Sequence, residues 1–312
     1  MKIIRNLLGH SEGVSVLQHE EMIRIQADEH SLIETKNLKS KEDYVLHLMH
    51  SFAYVTASRL AENKKVLDLG CNTGYGTEIL FKSAKEVVGV DVSEKAILSA
   101  KSRYGHLGIE FQVVDGVVLP FRDNEFDMIV SFQVIEHIVD YGKYLNELKR
   151  VLSPSGIVLF ATPNSLLRLD PGMKPWNKFH SREFNSTDLK SLLDTFFSTV
   201  GIFGLFAEDH FYTVEFNRVH RARTKARIKR MLPRFMLTGV RDLRNASEKI
   251  WKPRSPAPEN DKEFLNQYRL EHLFYSSHTL DAALDLLAVC ADDKDSFEKF
   301  QLEFNASTLT RN

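Results

Sequence analysis

The sequence has few cysteines and no long apolar run. Its two cysteines, Cys71 and Cys290, lie far apart, so the chain lacks the cysteine pattern of a disulfide framework or a metal cluster. No apolar run approaches the roughly 20 residues of a membrane span, and the first apolar stretch breaks at Gly9-His10, too early for a signal peptide. We therefore expect a cytoplasmic protein.

The chain also has no excess of charge of one sign. Its net charge of -1 argues against a protein whose whole surface binds a polyanion. Apolar residues make up 43% and charged residues 27% of the chain, a balance typical of a globular protein that can bury a sizeable core. Residues 218–254 are the exception, since they hold 13 Lys and Arg against Asp242 and Glu248 alone.

The stretch Val66–Gly76, which reads Val-Leu-Asp-Leu-Gly-Cys-Asn-Thr-Gly-Tyr-Gly, organises the rest of the chain. A short apolar run breaks into three glycines and resumes at Thr77–Phe81, a pattern that predicts a buried strand, a tight loop and a helix. Glycines in such a loop let a ligand approach unpaired backbone N–H groups at the start of the helix. We therefore expect the loop to bind a ligand.

The glycine spacing excludes two common ligands of such loops. The dinucleotide fingerprint Gly-x-Gly-x-x-Gly fails from Gly70, because Asn72 and Tyr75 stand at the two later glycine positions. It also fails from Gly74, because Ile79 stands at the third glycine position. The Gly-Lys-Ser/Thr ending of a phosphate-binding loop is absent as well.

Apolar strands alternate with helical patterns along the chain. Strands are predicted at 66–69, 86–92, 109–115, 126–131, 156–162, 199–206 and 286–291, and helices at 41–60, 77–82, 94–104, 140–152, 188–196 and 278–285. This alternation predicts an α/β protein with a doubly wound, mostly parallel, seven-stranded sheet. Ligands bind beyond the carboxyl ends of such strands, where the sequence places Asp68, Asp91, Asp115, Gln133 and Thr162-Pro163-Asn164.

Four motifs resemble, in order and spacing, the class I methyltransferases that depend on S-adenosylmethionine, in particular the type 11 members. The motifs are Val66–Gly76, Val87–Val92, Val113–Gly116 and Phe126–His137, with the ending Leu152–Asn164. The resemblance covers residues 44–164 and 286–291. It implies a Rossmann-like methyltransferase fold, here with an N-terminal helical extension and a basic helical insertion before the last strand.

The domain organisation follows from this resemblance. We expect an N-terminal extension over 1–39, a methyltransferase domain over 40–292 and a polar C-terminal tail over 293–312. Within the domain, 165–190 is the predicted loop on the acceptor side and 218–258 the basic helical insertion.

The resemblance implies the cofactor S-adenosylmethionine and a role for the motif residues. Asp68 would receive its ammonium group, directly or through water, and Asp91 would accept both ribose hydroxyls. Val92 would cover the adenine, and Asp115 would accept the adenine amine beside the Gly116 backbone. Six further residues complete the predicted cofactor site: Gly70, Cys71, Asn72, Gly74, Tyr75 and Gln133.

Alternatives remain open at some of these positions. Asp91 and Asp115 also fit plain loop residues at strand ends. Cys71 has no partner pattern that would support a catalytic thiol. Asn72 stands where the family usually has glycine, and asparagine tolerates unusual backbone angles.

Two histidines are the candidates for catalysis. A hydroxyl acceptor benefits from a general base, and histidine titrates near working pH. His137 follows the fourth strand, and His180 lies in the segment Phe-His-Ser-Arg-Glu-Phe of residues 179–184, which by resemblance borders the active site. Alternatively, His137 and an Arg182–Glu183 pair only hold loops in place. The sequence predicts no metal site.

The predicted reaction is O-methylation of a sugar, a glycan or another small hydroxyl-bearing acceptor. Thr162-Pro163-Asn164 replaces the Asn-Pro-Pro-Tyr type of motif expected for nitrogen acceptors. The alternatives are an RNA or protein methyltransferase and a non-catalytic scaffold that binds the cofactor. Residues 218–254 fit a solvated helical cap, a surface for an anionic substrate or a peripheral membrane contact, or, least well, an RNA surface. The oligomeric state is not predicted.

Overall fold

A computed structural model describes residues 38, 40–231 and 264–306 of the chain. Its helices are α1 (Lys41–Leu60), α2 (Tyr75–Phe81), α3 (Glu94–Tyr104), α4 (Tyr141–Val151), α5 (Ser165–Arg168), α6 (Ser186–Leu193), α7 (Asp209–Met231), α8 (Phe264–Gln267) and α9 (Lys294–Ala306). Its strands are β1 (Lys65–Leu69), β2 (Glu86–Asp91), β3 (Glu110–Val113), β4 (Phe126–Phe132), β5 (Leu152–Pro163), β6 (Thr199–Ala207), β7 (Leu273–Ser276) and β8 (Asp285–Ala291). The predicted extension 1–39, apart from residue 38, and residues 232–258 of the predicted insertion lie outside the described residues.

The strands form one mixed sheet in the order β3-β2-β1-β4-β5-β8-β6-β7. The pairs β3-β2, β2-β1, β1-β4 and β4-β5 are parallel, whereas β8 runs antiparallel to both β5 and β6. The predicted mostly parallel, doubly wound α/β sheet is therefore confirmed.

The predicted number of seven strands was wrong, because the described sheet has eight. The additional strand β7 has four residues and pairs antiparallel with β6 at the edge of the sheet. Such a short strand leaves too little alternation to be recognised in sequence. The helix predicted over 278–285 was also wrong: a 3₁₀ turn, Leu280–Ala282, leads directly into β8.

Helices cover both faces of the sheet, as the apolar character of its strands requires. Successive strand residues point to opposite faces, so Val66 lies in the hydrophobic core under α1 and α9, and Leu67 in the core under α4 and α6. Both side chains are fully buried. The two cores fix which strand ends meet at each edge of the sheet.

Side-chain caps set the starts of several helices. Ser40 accepts a hydrogen bond from the Asp43 N–H, and Ser93 accepts one from the Ala96 N–H, at the predicted starts of α1 and α3. Helix α6 begins at Ser186, two residues before the predicted start at 188. Asn185 caps this helix, its side chain accepting from the backbone N–H of Asp188.

The segment after Asp292, predicted to be a frayed polar tail, contains helix α9 instead. Phe297, Phe300 and Phe304 recur at helical spacing and are buried in the core beside α1. The prediction was wrong because the polar residues between the phenylalanines dominate the local composition. No helix in the described ranges is both long and apolar enough to cross a membrane.

Candidate active site

A cavity lies at the carboxyl edge of the sheet, where β1 and β4 are neighbours and the chain leaves them in opposite directions. This is the topological switch point at which open α/β sheets bind ligands. The cavity is lined by strand ends and by helix α4: Leu69, Gly70, Asp91, Val92, Val114, Gly116, Val117, Leu119, Gln133, Val134, His137, Ile138, Asp140, Lys143, Tyr144, Glu147, Leu148 and Phe179. Six predicted site residues therefore share one cavity: Gly70, Asp91, Val92, Gly116, Gln133 and His137.

Asp91 ends β2 with its carboxylate at the wall of this cavity and only 5% of the residue exposed. Its Oδ2 accepts the backbone N–H of Asn72 at 2.9 Å, and its Oδ1 accepts that of Ser93 at 2.8 Å. Each carboxylate oxygen has a second acceptor position. The fixed carboxylate can therefore still accept hydroxyl groups of a ligand.

The backbone N–H groups of the glycine loop between residues 70 and 74, which precede the start of helix α2, are paired within the protein. The N–H groups of Gly70 and Cys71 donate to the Val90 carbonyl at 2.8 and 3.0 Å. The Thr73 N–H donates to the Asn72 side chain, and the Gly74 N–H donates to the Cys71 carbonyl. The loop thus satisfies these backbone N–H groups through contacts within the protein.

The unusual residues of the loop are explained by backbone conformation. Gly70 and Gly74 have φ of 85° and 82°, and Asn72 has φ of 48°, in the left-handed region that few side chains tolerate. A Cβ on Gly70 would lie 2.4 Å from Cγ2 of Val134. The absence of a side chain at Gly70 therefore lets the end of β1 lie close to the end of β4.

Asp68 lies behind the loop and does not line the cavity. Its carboxylate is fully buried and accepts hydrogen bonds from the Tyr54 hydroxyl at 3.1 Å and the Thr77 hydroxyl at 2.6 Å. Burial raises its pKa to about 7, although these two hydrogen bonds oppose the shift. In this geometry Asp68 joins β1 to α1 and α2.

Four other predicted site residues stand outside the cavity lining. Cys71 packs its thiol in a small apolar cluster with Phe111, and burial raises the thiol pKa well above its usual range. Tyr75 packs against Tyr54, and Asn72 lies under the loop. The fourth residue is Gly74.

Asp115 is exposed and uses its carboxylate on its own loop. Its Oδ1 accepts the backbone N–H groups of Val117 and Val118 at 2.7 and 2.9 Å. The following residues Gly116 and Val117 line the cavity, whereas Asp115 does not. Asp115 thereby shapes the part of the wall where the adenine contact is predicted.

Gln133 reaches the cavity from a strained backbone position at the end of β4. Its φ is 58°, and its Nε2 donates to Oδ2 of Asp285 at 3.0 Å. Asp285 is buried, and burial raises its pKa to about 6. The bond orients the Gln133 amide between β4 and β8.

The two candidate catalytic histidines lie together although 43 residues separate them in the sequence. Their rings are 4.8 Å apart and nearly perpendicular. Nδ1 of His137 lies 3.0 Å from the Phe179 carbonyl oxygen, and the Ser181 N–H donates to the Glu136 carbonyl at 2.8 Å. These bonds fasten the segment 179–184 to the turn after β4, so His180 lies beside the cavity wall without lining it.

Glu183 holds His180 in this position. Its Oε1 lies 2.7 Å from Nδ1 of His180, and its Oε2 accepts from Nε of Arg168 at 2.9 Å. Burial raises the Glu183 pKa, but hydrogen bonds from His180 and Arg168 outweigh burial and leave it below its usual value. The neighbouring Arg182 pairs with Asp188, so Arg182 and Glu183 each tie this segment to a different helix.

The sequence reasoning missed Glu136 and three residues of α4. Glu136 is 1% exposed and directly precedes His137, so its burial is a tertiary property with no local sequence signal. Lys143, Tyr144 and Glu147 line the cavity from one helix face. Their helical spacing could have identified that face, because α4 was predicted and the fourth strand leads into it.

The basic segment begins within helix α7, and its arginines there contact one carboxylate of the same helix and two of neighbouring elements. The pairs are Arg218 with Glu215, Arg221 with Glu42, and both Arg223 and Arg227 with Asp170. Asp170 follows α5, so these pairs fasten α7 over the predicted acceptor-side loop.

Comparison with known proteins gives a family match over the residues that build the cavity. Residues 67–160 match the model of a family described as a methyltransferase domain. The chain is 37% identical over 159 residues to a probable S-adenosylmethionine-dependent methyltransferase of Mycobacterium tuberculosis, with 50% of this chain and 57% of that protein covered. It thus spans a little over half the length of this relative.

A second group of relatives has a named reaction. A ubiquinone biosynthesis O-methyltransferase of Bradyrhizobium diazoefficiens is 32% identical over 132 residues, covering 37% of this chain and 52% of that protein. Among solved structures, the YcgJ protein of Bacillus subtilis is 16% identical with a TM-score of 0.44, covering 78% of this chain and 99% of that one.

The matched residues run from β1 into β5 and include the loop that carries Gly70, together with Asp91 and Gln133 at the switch point. Asp91, for which the resemblance predicts ribose binding, lines the cavity together with apolar residues. Residues 67–160 are therefore similar to a class I methyltransferase domain, and relatives named as S-adenosylmethionine-dependent methyltransferases support S-adenosylmethionine as the cofactor.

Proposed function

We propose that this chain is an S-adenosylmethionine-dependent methyltransferase that methylates a hydroxyl group of a small acceptor such as a sugar or glycan. The observation that carries the proposal is the cavity at the switch point, which has the Asp91 carboxylate on one wall and His137 on another. The Asp91 carboxylate is suited to binding a ribose diol. His137 is suited to contacting the methyl acceptor in the same cavity.

The residues of the cavity fit the cofactor. Asp91 retains acceptor positions for two hydroxyl groups, and Val92, Val114 and Leu119 offer apolar surface for a purine ring. S-adenosylmethionine, when bound, supplies a methyl group on a sulfonium that a nucleophile displaces in line. The chain's contribution is to position the two reactants and to exclude water from them.

An oxygen acceptor is supported by the histidine pair and by the relatives. The Phe179 carbonyl can only accept a hydrogen bond, so Nδ1 of His137 carries a proton, and Nε2 of the neutral ring carries the lone pair. Such a ring can assist the loss of a hydroxyl proton. The named relatives that methylate oxygen point in the same direction.

The contacts of α7 support the helical cap among the three interpretations of the basic segment. Each of Arg218, Arg221 and Arg227 lies within 2.7 Å of a carboxylate oxygen, so much of the local positive charge in this part of the helix is balanced. An RNA surface needs cations that remain available to phosphates. We therefore favour a small acceptor under this cap over RNA.

Calorimetric titration with S-adenosylmethionine tests the cofactor site. We expect Asp91→Asn to weaken binding at least 100-fold, about 2.7 kcal/mol, because the ribose would lose a carboxylate partner. Asp292→Asn is the matched control: Asp292 also follows a strand and accepts a backbone N–H, that of Ser198, but at the opposite edge of the sheet. It should leave the affinity unchanged within twofold.

Failure of the wild-type protein to bind S-adenosylmethionine, or equal affinity in the Asp91 variant, would contradict the cofactor site. The acceptor is tested by a screen of sugars, glycans, phenols and RNA with labelled cofactor. Methylation of RNA alone would refute the small-acceptor proposal. Binding without turnover on every class would favour a non-catalytic scaffold.

A further inference from the structure

Three side chains that can coordinate a metal converge beside the cavity. Glu136, His137 and His180 each place one potential ligand atom within 4.8 Å of the others. Ligands around an ion of the size of Zn²⁺ lie about 2.0–2.2 Å from it, and therefore roughly 3 Å from one another. Side-chain rotations that move these atoms by an ångström or two would bring all three to coordination distance from one ion.

Glu136 provides an independent indication that this cluster can bind a cation. The residue is 1% exposed, and Oε2 accepts the Thr162 hydroxyl at 2.9 Å, but Oε1 has no hydrogen-bond partner among the described residues. A buried carboxylate oxygen without a partner is unfavourable, because its lost hydration is not replaced. Protonation does not remove the problem, because a hydroxyl at Oε1 would equally lack an acceptor.

The histidines are oriented as metal ligands usually are. Nδ1 of His137 faces the Phe179 carbonyl, and Nδ1 of His180 faces the Glu183 carboxylate at 2.7 Å. Both partners are acceptors, so each Nδ1 carries a proton and each neutral ring has its lone pair on Nε2. Carboxylate and carbonyl partners of this kind fix the tautomer and the ring plane of metal-binding histidines.

We propose that Glu136, His137 and His180 bind one divalent transition-metal cation at the wall of the cavity. Two imidazoles and one carboxylate suit Zn²⁺, Co²⁺, Mn²⁺ or Fe²⁺, whereas Mg²⁺ and Ca²⁺ prefer sites made of oxygen. Three protein ligands leave coordination positions for other molecules. The cation supplies the missing partner of Glu136 Oε1 and compensates its buried charge.

The position of the cation gives it a role in acceptor binding, and this part of the inference rests on the proposed function. His137 lines the cavity, so an open coordination position would face it. A hydroxyl group bound there would be held in place, and its pKa would fall. The two histidines would then act as ligands and position the acceptor through the cation, and neither would be the general base.

The test is titration of the chelator-treated full chain with Co²⁺, followed by calorimetry and by visible absorption. We expect one equivalent to bind and to give the d–d bands of a low-symmetry site. Glu136→Gln and His180→Ala should each weaken Co²⁺ binding at least 100-fold, and Glu183→Gln should weaken it 10- to 100-fold through the orientation of His180. His278→Ala, which removes an exposed histidine outside the cluster, should not change the affinity.

Circular dichroism and thermal unfolding of each variant identify any loss of fold. Glu136→Gln is the most informative change, because the amide retains the shape of the side chain. The inference is overturned if wild-type protein binds no Co²⁺ below millimolar concentration, or if the two ligand variants bind it as tightly as wild type. A separate titration with S-adenosylmethionine tests the proposed function, so either idea can fail without the other.

Discussion

Gly76 illustrates how a single residue in the glycine loop has a different role from the one its pattern suggests. The sequence predicts that this glycine lets a ligand approach the backbone. In the structure Gly76 lies in the first turn of α2, and a methyl group placed on it would lie 2.2 Å from Cζ of Tyr54. The absent side chain makes room for a tyrosine that donates to Asp68.

We predict that Gly76→Ala lowers the free energy of unfolding by about 1–3 kcal/mol, because the buried Tyr54 ring would have to move. In an open helix the same change would stabilise the protein, since alanine favours helix over glycine by roughly 1 kcal/mol. Urea unfolding of the cofactor-free protein measures the difference.

The matched control is Gly105→Ala at the end of α3. Gly105 has a helical φ of -60°, and its added Cβ would meet no described atom within 4 Å. This variant should be unchanged or more stable by about 0.4–1 kcal/mol. Equal destabilisation of both variants would contradict the packing explanation for Gly76.

At the scale of elements, helix α9 shows that a segment of polar composition can complete the core. Its phenylalanines cover the part of the sheet formed by β6 and β8, where Phe203 packs against Phe300 and Phe304. The antiparallel strand β8 lies in the middle of this part of the sheet and is buried on both faces. Without α9 one of these faces would be open to water.

We predict that Phe300→Ala destabilises the protein by about 3–5 kcal/mol, the usual cost of emptying a buried phenylalanine site. Phe300 is 2% exposed, whereas Leu302 on the same helix is 73% exposed. Leu302→Ala should therefore change stability by less than about 0.5 kcal/mol. Urea unfolding of the two variants measures both effects. An equal loss of unfolding free energy in the two variants would contradict the packing of α9 against the sheet.

At the scale of the whole molecule, the buried carboxyl groups near the carboxyl edge of the sheet make stability depend on pH. The pKa of Asp68 is raised to about 7 from 3.8, mainly by burial, with a smaller contribution from the charge of Asp91. The folded protein therefore binds more protons than the unfolded chain between these two values. The contribution of Asp68 to the stability is highest below about pH 4 and is lost as the pH rises through about 7.

We predict that Asp68→Asn removes this part of the pH dependence. Between pH 5 and pH 8 the stability of the variant relative to wild type should rise by about 2.6 kcal/mol, at 1.36 kcal/mol per pKa unit. Urea unfolding at both pH values without cofactor gives the comparison, and Asp281→Asn, at an exposed aspartate, is the control. An unchanged difference between pH 5 and pH 8 would show that Asp68 does not titrate in this range.

Much of the fold could be predicted because it follows from local patterns. Apolar runs identified the seven main strands, and the helices predicted over 41–60 and 94–104 have these bounds in the structure. The edge strand β7 and the buried face of α9 could not be predicted in the same way. Each depends on partners distant in sequence, namely β6 for the first and the sheet for the second.

For the predicted cofactor site, too, some features follow from local sequence and others from tertiary structure. The sequence by itself determined the order of the motifs and thus which residues stand at the strand ends, because strand periodicity and glycine spacing are local. Tertiary structure alone decided that Asp91 and Gln133 face the cavity while Asp68 is buried behind it. It also decided that Glu136, His137 and His180 meet, since only the crossing of two loops beyond β4 and β5 joins groups separated by more than 40 residues.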